Sequence, residues 1–261
     1  MPLALRITVL GSGTSTGVPA IGCDCAVCRS TDPHDRRLRP SILIEAENGP
    51  TILVDTSTDL REQALANRIR RVDAILFTHT HADHVFGLDD IRRYNHMQRT
   101  AIPCYGSAGT LVRLRQMFSY VFEPPAQIGG GIPQLTLTEI DGPFSIGGVD
   151  IVPVPVLHGA LPVLGYRVGS FAYLTDCNRI PETSWPLLAG VRTLILDALR
   201  HRPHATHFSV SESLDVVARI GAERAYFTHM CHDLPHAETN AHLPAGVQLA
   251  YDGLVLDIDD K

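Results

Sequence analysis

The amino-acid sequence predicts an α/β protein whose buried strands end in side chains able to coordinate metal. Three observations predict it. The apolar run Ala74-Ile75-Leu76-Phe77 is followed at once by Thr78-His79-Thr80-His81-Ala82-Asp83-His84, with three histidines and an aspartate in quick succession. The same arrangement recurs: His158 follows Ile151–Leu157, Asp176 follows Phe171–Thr175, and His229 follows Ala225–Thr228. Helical patterns lie between these runs, at Leu60–Ile69, Ala108–Phe118 and Ser211–Ile220. A single such histidine is an ordinary loop residue, so the repetition carries the argument. The chain reads as one domain, 1–261.

Composition narrows the class. With 261 residues, 44% hydrophobic and 19% charged, the chain can bury a large core. A formal net charge of −6 disfavours an extended nucleic-acid footprint, which would bring a basic excess. No segment approaches the ~18 apolar residues of a membrane span. Met1-Pro2-Leu3-Ala4-Leu5-Arg6 runs straight into a strand and has no signal-peptide pattern, so the expectation is a cytoplasmic protein.

Taken in order, Arg6–Leu10 is the first strand. Gly11-Ser12-Gly13-Thr14-Ser15-Thr16-Gly17 then lacks the lysine and following helix of a phosphate loop, and is expected to be a tight turn bordering the site. Ser41–Glu45 and Thr51–Asp55 pair around the Asn48-Gly49 turn. Asp55 ends its strand either as an acceptor for a metal-bound histidine or as a helix cap. Asp89–Tyr94 starts a helix after the histidine motif, and Ile102–Gly106 is another strand. Residues 123–134, with Pro124-Pro125 and Gly129-Gly130-Gly131, read as a loop over the site. Short strands recur from Leu135 to Val156, with a hairpin at Gly147-Gly148. Leu194–Asp197 is a buried strand, Ala198–His207 a polar loop, and Leu249–Ile258 the last strands.

The spacing of the motif carries chemistry. His79 and His81, two apart in an extended segment, point to one side and can share a metal. Asp83 and His84, past the bend, aim at a second point. Imidazole suits zinc, and carboxylate widens the choice towards manganese and iron.

These residues resemble the metallo-β-lactamase superfamily in kind and in order. The resemblance implies an αββα sandwich, two packed mixed β-sheets flanked by helices, with metals at one edge between the sheets. It implies two catalytic divalent metals, zinc or manganese. His79, His81 and His158 would hold one, and Asp83, His84 and His229 the other, with Asp176 bridging. A two-metal site generates a hydroxide nucleophile at neutral pH, here bridging the metals, and neutralises charge on substrate oxygens. That chemistry fits phosphodiesters, lactams, thioesters and lactones alike.

A second cluster is Gly22-Cys23-Asp24-Cys25-Ala26-Val27-Cys28. Cytosolic thiols stay reduced, so a disulfide framework is disfavoured, and three thiolates supply three corners of a tetrahedral structural zinc site. Candidates for the fourth ligand are His232, Cys231 and His34. His232 is preferred, because it would tie this loop to the one bearing His229. Cys104, Cys177 and Cys231 read as unliganded.

Arg92 is expected to reach a substrate phosphate oxygen, as arginine does well. The loop around residues 200–207 offers a histidine to protonate a leaving oxygen. With the cysteine loop added, the chain is similar to the PhnP-type cyclic phosphodiesterases. Those enzymes open a 1,2-cyclic phosphate on ribose 5-phosphate and act on 2′,3′-cyclic nucleotides and other small diesters. That resemblance implies His207 as an extra catalytic and substrate-binding histidine. Asp83 is expected to be catalytic as well as a ligand. The expected partners are a small phosphodiester and, as an assembly, a homodimer, with no membrane.

Transfer-RNA 3′-processing endonucleases share the metal motif, but no basic arm is visible here. Pyrroloquinoline-quinone biosynthesis proteins carry a related cysteine loop. Lactone and thioester hydrolases of the superfamily usually lack it. A non-enzymatic metal-binding module ranks last, since it would not need seven ligands at open strand ends.

Overall fold

The computed structural model describes residues 3–123 and 131–260. In chain order the elements are β1 (Leu3–Gly11), β2 (Ser41–Ala46), β3 (Thr51–Val54), α1 (Leu60–Ala66), β4 (Ala74–Leu76), α2 (Ala82–Val85), α3 (Arg92–Gln98), β5 (Ile102–Gly106), α4 (Ala108–Met117), α5 (Ser119–Phe122), β6 (Leu135–Glu139), β7 (Phe144–Ile146), β8 (Val149–His158), β9 (Leu161–Val168), β10 (Phe171–Leu174), β11 (Thr193–Asp197), α6 (Val210–Ile220), β12 (Arg224–Thr228), α7 (His236–His242), β13 (Val247–Leu249) and β14 (Val255–Asp260). They form two seven-stranded sheets, ordered β14-β1-β2-β3-β4-β5-β6 and β13-β12-β11-β10-β9-β8-β7. Both sheets are mixed: β3 to β6 and β10 to β13 run parallel, and the remaining pairs are antiparallel.

Each central strand is apolar on both faces, and its alternation sorts side chains into two cores. Ile42, Ile44, Ile52 and Val54 point between the sheets, where they meet Tyr166, Phe171 and Tyr173. Leu43 and Leu53 point outward with Ile75 and Phe77, under the helical layer that supplies Leu60, Leu88, Ile91 and Leu114. Across the sandwich, Ala172, Leu174, Leu194 and Leu196 point outward onto Val216 and Val217 of α6. This is the expected sandwich of two mixed sheets with helices outside. Among the described residues no helix is long and apolar enough to cross a membrane.

Several boundaries differ from expectation. The helix after the motif begins at Ala82, with His81 as its extended N-cap, so Asp83 and His84 lie inside its first turn. Strand β9 escapes the sequence because Pro162 and Gly165 interrupt it. Gly165 is required there, since a Cβ would lie 2.8 Å from the Tyr173 carbonyl oxygen. The expected terminal strand run splits between sheets. Asp252 pins the intervening turn by accepting from the Ser12 amide at 2.8 Å and the Leu38 amide at 2.6 Å. Ser209 caps α6 with a full capping box through Glu212. Of the expected loop over the site, residues 124–130 lie outside those described.

Candidate metal centre and active site

The site sits where strand ends of both sheets meet. The motif follows β4, Asp176 follows β10, Asp197 ends β11, His229 follows β12, and His158 ends β8. β4 and β10 to β12 belong to parallel runs, and clefts outside the carboxyl ends of such strands are where α/β proteins place ligands. Asp55, Asp176 and His229 all take left-handed backbone conformations, with φ of 63°, 49° and 59°. Non-glycine residues are uncommon there, and strain of this kind concentrates at functional sites.

The ligand atoms of Asp83, His84, Asp176 and His229 lie within 4.8 Å of one another, as do those of His79, His81 and Asp176. One carboxylate joins the groups. Asp176 Oδ1 is 3.1 Å from Nε2 of both His84 and His229, and Oδ2 is 3.7 Å from His79 Nε2. Asp83 Oδ2 lies 3.3 Å from His84 Nε2 and 3.6 Å from His229 Nε2. His158 gathers within 4.8 Å of Asp176 and His207, and its ring stands 5.1 Å from that of His81 and 5.8 Å from that of His79.

Four imidazoles are held the same way round. His84 Nδ1 donates to Asp55 Oδ2 at 2.7 Å, His158 Nδ1 to the Thr206 carbonyl at 2.8 Å, and His207 Nδ1 to Asp197 Oδ2 at 2.7 Å. The Thr78 hydroxyl donates to Asp55, so it accepts from His79 Nδ1 at 3.0 Å. Anchoring Nδ1 leaves Nε2 free, which is how proteins orient imidazole for metal. The Nε2 atoms of His79, His84 and His229, with Asp83 Oδ2, are buried without a hydrogen-bond partner. Buried polar atoms are rarely left so, and these converge on the shared carboxylate. Contacts of 3.1–3.7 Å match the ~3.4 Å separating ligand atoms around a tetrahedral ion with ~2.1 Å bonds. The residues present fit divalent cations.

Electrostatics agree. Burial opposes charge on His84, but Asp176, Asp83 and Asp55 outweigh it and hold the imidazole well above its ordinary value. His229 is likewise pushed up to about 10, against burial, mainly by Asp176. His79 goes the other way, well below its ordinary value, through burial and the neighbouring His84. The cluster is a buried concentration of carboxylate charge that calls for compensating positive charge.

His207 lies beside the cluster and is brought to it as expected. Its ring stacks on that of His229, centroids 4.6 Å apart at 15°, and stands 4.5 Å from that of His158. Arg92 is not brought there. Its guanidinium pairs with Asp89 at 3.0 Å and donates to the Gly131 carbonyl at 3.3 Å, and neither partner belongs to the cluster.

The cysteine loop meets His232. His232 Nδ1 stands 3.1, 3.5 and 3.4 Å from the sulfurs of Cys23, Cys25 and Cys28. A tetrahedral zinc with ~2.3 Å sulfur and ~2.0 Å nitrogen bonds separates such atoms by ~3.5 Å. Backbone amides of Ala20 and Cys28 donate to the sulfurs of Cys28 and Cys25, both at 3.4 Å. The Cys28 amide is the main reason the Cys25 thiol is drawn down to about 7. The other two candidates for the fourth corner are elsewhere. Cys231 sulfur accepts from the Asp233 amide, and the His34 ring packs on His236 and Tyr251.

Sequence reasoning left Asp197 and Arg37 without roles. Arg37 is fully buried and donates to the carbonyls of Cys231 and Leu234, which bracket His232, and to that of His34. It also pairs with the Asp35 carboxylate, at 3.2 Å. The Gly11–Gly17 turn does border the site, since Gly13 bridges Met230, the neighbour of His229.

Comparison with known proteins agrees with this geometry. The model of the Beta-lactamase superfamily domain matches residues 50–230. A crystal structure described as a new diphosphatase from the PhnP family is 46% identical, covers 99% of each chain and superposes with a TM-score of 0.92. The Octanoyltransferase of Porphyromonas gingivalis is 39% identical over 98% of this chain, which spans about half (52%) of that protein. Zinc-bound PqqB from Methylobacterium extorquens, 22% identical over 97% of this chain and 100% of its own with a TM-score of 0.77, shares the fold. Superfamily membership implies divalent-metal binding and hydrolase chemistry, for which these clusters offer the ligands. The chain belongs to the PhnP family of the metallo-β-lactamase superfamily.

Proposed function

We propose that this protein is a binuclear metal-dependent phosphodiesterase of small, cyclic diesters such as phosphoribosyl 1,2-cyclic phosphate or 2′,3′-cyclic nucleotides. The observation that carries the reading is the convergence of unpartnered Nε2 and carboxylate atoms from both clusters on Asp176. Asp83, His84 and His229 would hold one ion, His79, His81 and His158 the other, and Asp176 both. The native ions are zinc or manganese. When bound, they supply a nucleophile at neutral pH and neutralise charge on the phosphoryl oxygens.

The chain's own residues do the rest. Asp83 would supply a proton-accepting carboxylate beside His84 and His229. His207, with Nδ1 fixed on Asp197, turns Nε2 towards the substrate and delivers a proton to the leaving oxygen. Cys23, Cys25, Cys28 and His232 would hold a structural zinc, with all four positions filled by protein ligands. Asp55 orients His84, so Asp55→Asn is expected to weaken metal affinity ~10–100-fold by competition titration. Unchanged affinity would remove that role.

A second reading has one observation in its favour: the 46%-identical relative is described as a diphosphatase, which points to a phosphoanhydride bond. Reconstituted protein, loaded with zinc or manganese, decides between them. Bis(p-nitrophenyl) phosphate and 2′,3′-cyclic AMP should be hydrolysed, and nitrocefin and a thioester left intact. Turnover of a dinucleoside diphosphate without the diesters would replace the first reading by the second. Turnover of nitrocefin or the thioester alone would overturn both.

A further inference from the structure

Among the described residues, the exposed phenyl and phenol rings lie together. Phe86 is 53% and Tyr120 46% exposed, and both pack on the buried ring of Phe118, at centroid distances of 6.1 and 6.5 Å. Isolated exposed apolar side chains are ordinary, but these two flank one buried ring and form a ledge around it.

The ledge stands on the rim of the site. The Phe86 amide donates to the Ala82 carbonyl at 3.1 Å, closing the turn of α2. Asp83 is therefore three residues back on the same turn. Asp83 turns inward to His84 and His229, while Phe86 remains in solvent beside the exposed Ala82 and His81. The ring is thus one turn from a carboxylate of the metal cluster.

The mounting is rigid. Gly87 lies so close to the Ser57 carbonyl oxygen that a Cβ would stand 2.1 Å from it. Tyr120 is fixed from below by its hydroxyl, which donates to Asp89 at 2.8 Å.

We propose that the Phe86–Tyr120 ledge is a base-stacking subsite, so that the diester handled at this site carries a nucleobase. The inference rests on the phosphodiesterase reading. Aromatic faces hold bases by stacking, an interaction that tolerates any base because each has a π-face. The ledge offers ring faces, so the subsite accepts purines and pyrimidines and grips the larger purines better.

The test is steady-state kinetics on metal-loaded protein, with 2′,3′-cyclic AMP set against methyl riboside 2,3-cyclic phosphate, which has no base. Phe86→Ala should lower the ratio of the two kcat/KM values about tenfold, through KM of the nucleotide. Phe86→Leu should fall between, and Val112→Ala, an exposed apolar position on α4, should leave the ratio unchanged. A ratio unmoved by Phe86→Ala, or equal losses on both substrates, overturns the subsite. Calorimetry with adenosine 3′-phosphate and ribose 5-phosphate separates the two claims. If the protein hydrolyses neither diester, the phosphodiesterase reading fails. The ledge then stands if Phe86→Ala abolishes the preference for adenosine 3′-phosphate, and falls if that preference is absent or survives.

Discussion

His207→Ala is expected to lower turnover of a phosphodiester by ~10²–10⁴-fold, the range for losing a positioned general acid, while metal content stays intact. In the proposed assignment His207 is not a ligand: Asp83, His84 and His229 gather with Asp176 on one side, and His79 and His81 on the other, where the His158 ring stands 5.1 Å from that of His81. Its position is defined from two sides. Asp197 holds Nδ1 at 2.7 Å, and the ring lies flat on His229. Asp197 is itself fixed, since its Oδ2 also accepts the Cys177 amide at 2.8 Å. Asp197→Asn should therefore reduce turnover in the same direction by allowing the wrong tautomer. The imidazole is small and nearly buried, and its removal leaves the anchor of His158 on the Thr206 carbonyl untouched. Metal analysis beside the kinetics decides the role: loss of an ion from His207→Ala would make His207 a ligand, and full activity would make it a bystander.

Cys25→Ser is expected to remove about one equivalent of zinc per chain and to destabilise the fold. Residues 20–30 are exposed or half-buried apart from Val27, their one buried apolar side chain. Ordering the backbone costs ~1–2 kcal/mol per residue, which so little burial does not offset. Structural zinc contributes on the order of 10 kcal/mol in small peptides. In a chain with its own large core the loss should be smaller, on the order of 3–5 kcal/mol, or roughly 10 °C in melting temperature. Turnover should fall with it, because the clamp reaches His229 through two intervening residues, Met230 and Cys231, and through Arg37, which grips the carbonyls on both sides of His232. Thermal melting with zinc analysis checks this. A variant that keeps its zinc, or melts as the parent does, would contradict it.

Much of this site was legible because strands are short and ligands follow them directly. His79, His81, Asp83, His84, His158, Asp176 and His229 were each marked by an apolar run ending in a coordinating side chain, and the fold brings them together. The cores were legible in kind too, since Ile42-Leu43-Ile44 and Phe171-Ala172-Tyr173 are apolar on both faces, as central strands of a covered sheet must be. What stayed hidden depends on the third dimension. Asp197 ends a buried strand as Asp176 does, but its role appears only when the loop folds His207 back onto it. Arg37 looks like a surface charge in Asp35-Arg36-Arg37-Leu38, and only the fold buries it between two loops nearly 200 residues apart in sequence. Arg92 was misplaced for the converse reason: helix periodicity says which residues share a face, not whether that face meets the site. Phe86 was invisible because an aromatic after a metal motif reads as core until its exposure is known.

The central claim is that one carboxylate, Asp176, joins two ions. Anomalous scattering from crystals of the metal-loaded protein tests it most directly, with data on both sides of the metal absorption edge. The account predicts two peaks ~3.5–4 Å apart with Asp176 between them, one among Asp83, His84 and His229 and the other among His79, His81 and His158. A single fully occupied peak with Asp176 uncoordinated would contradict it.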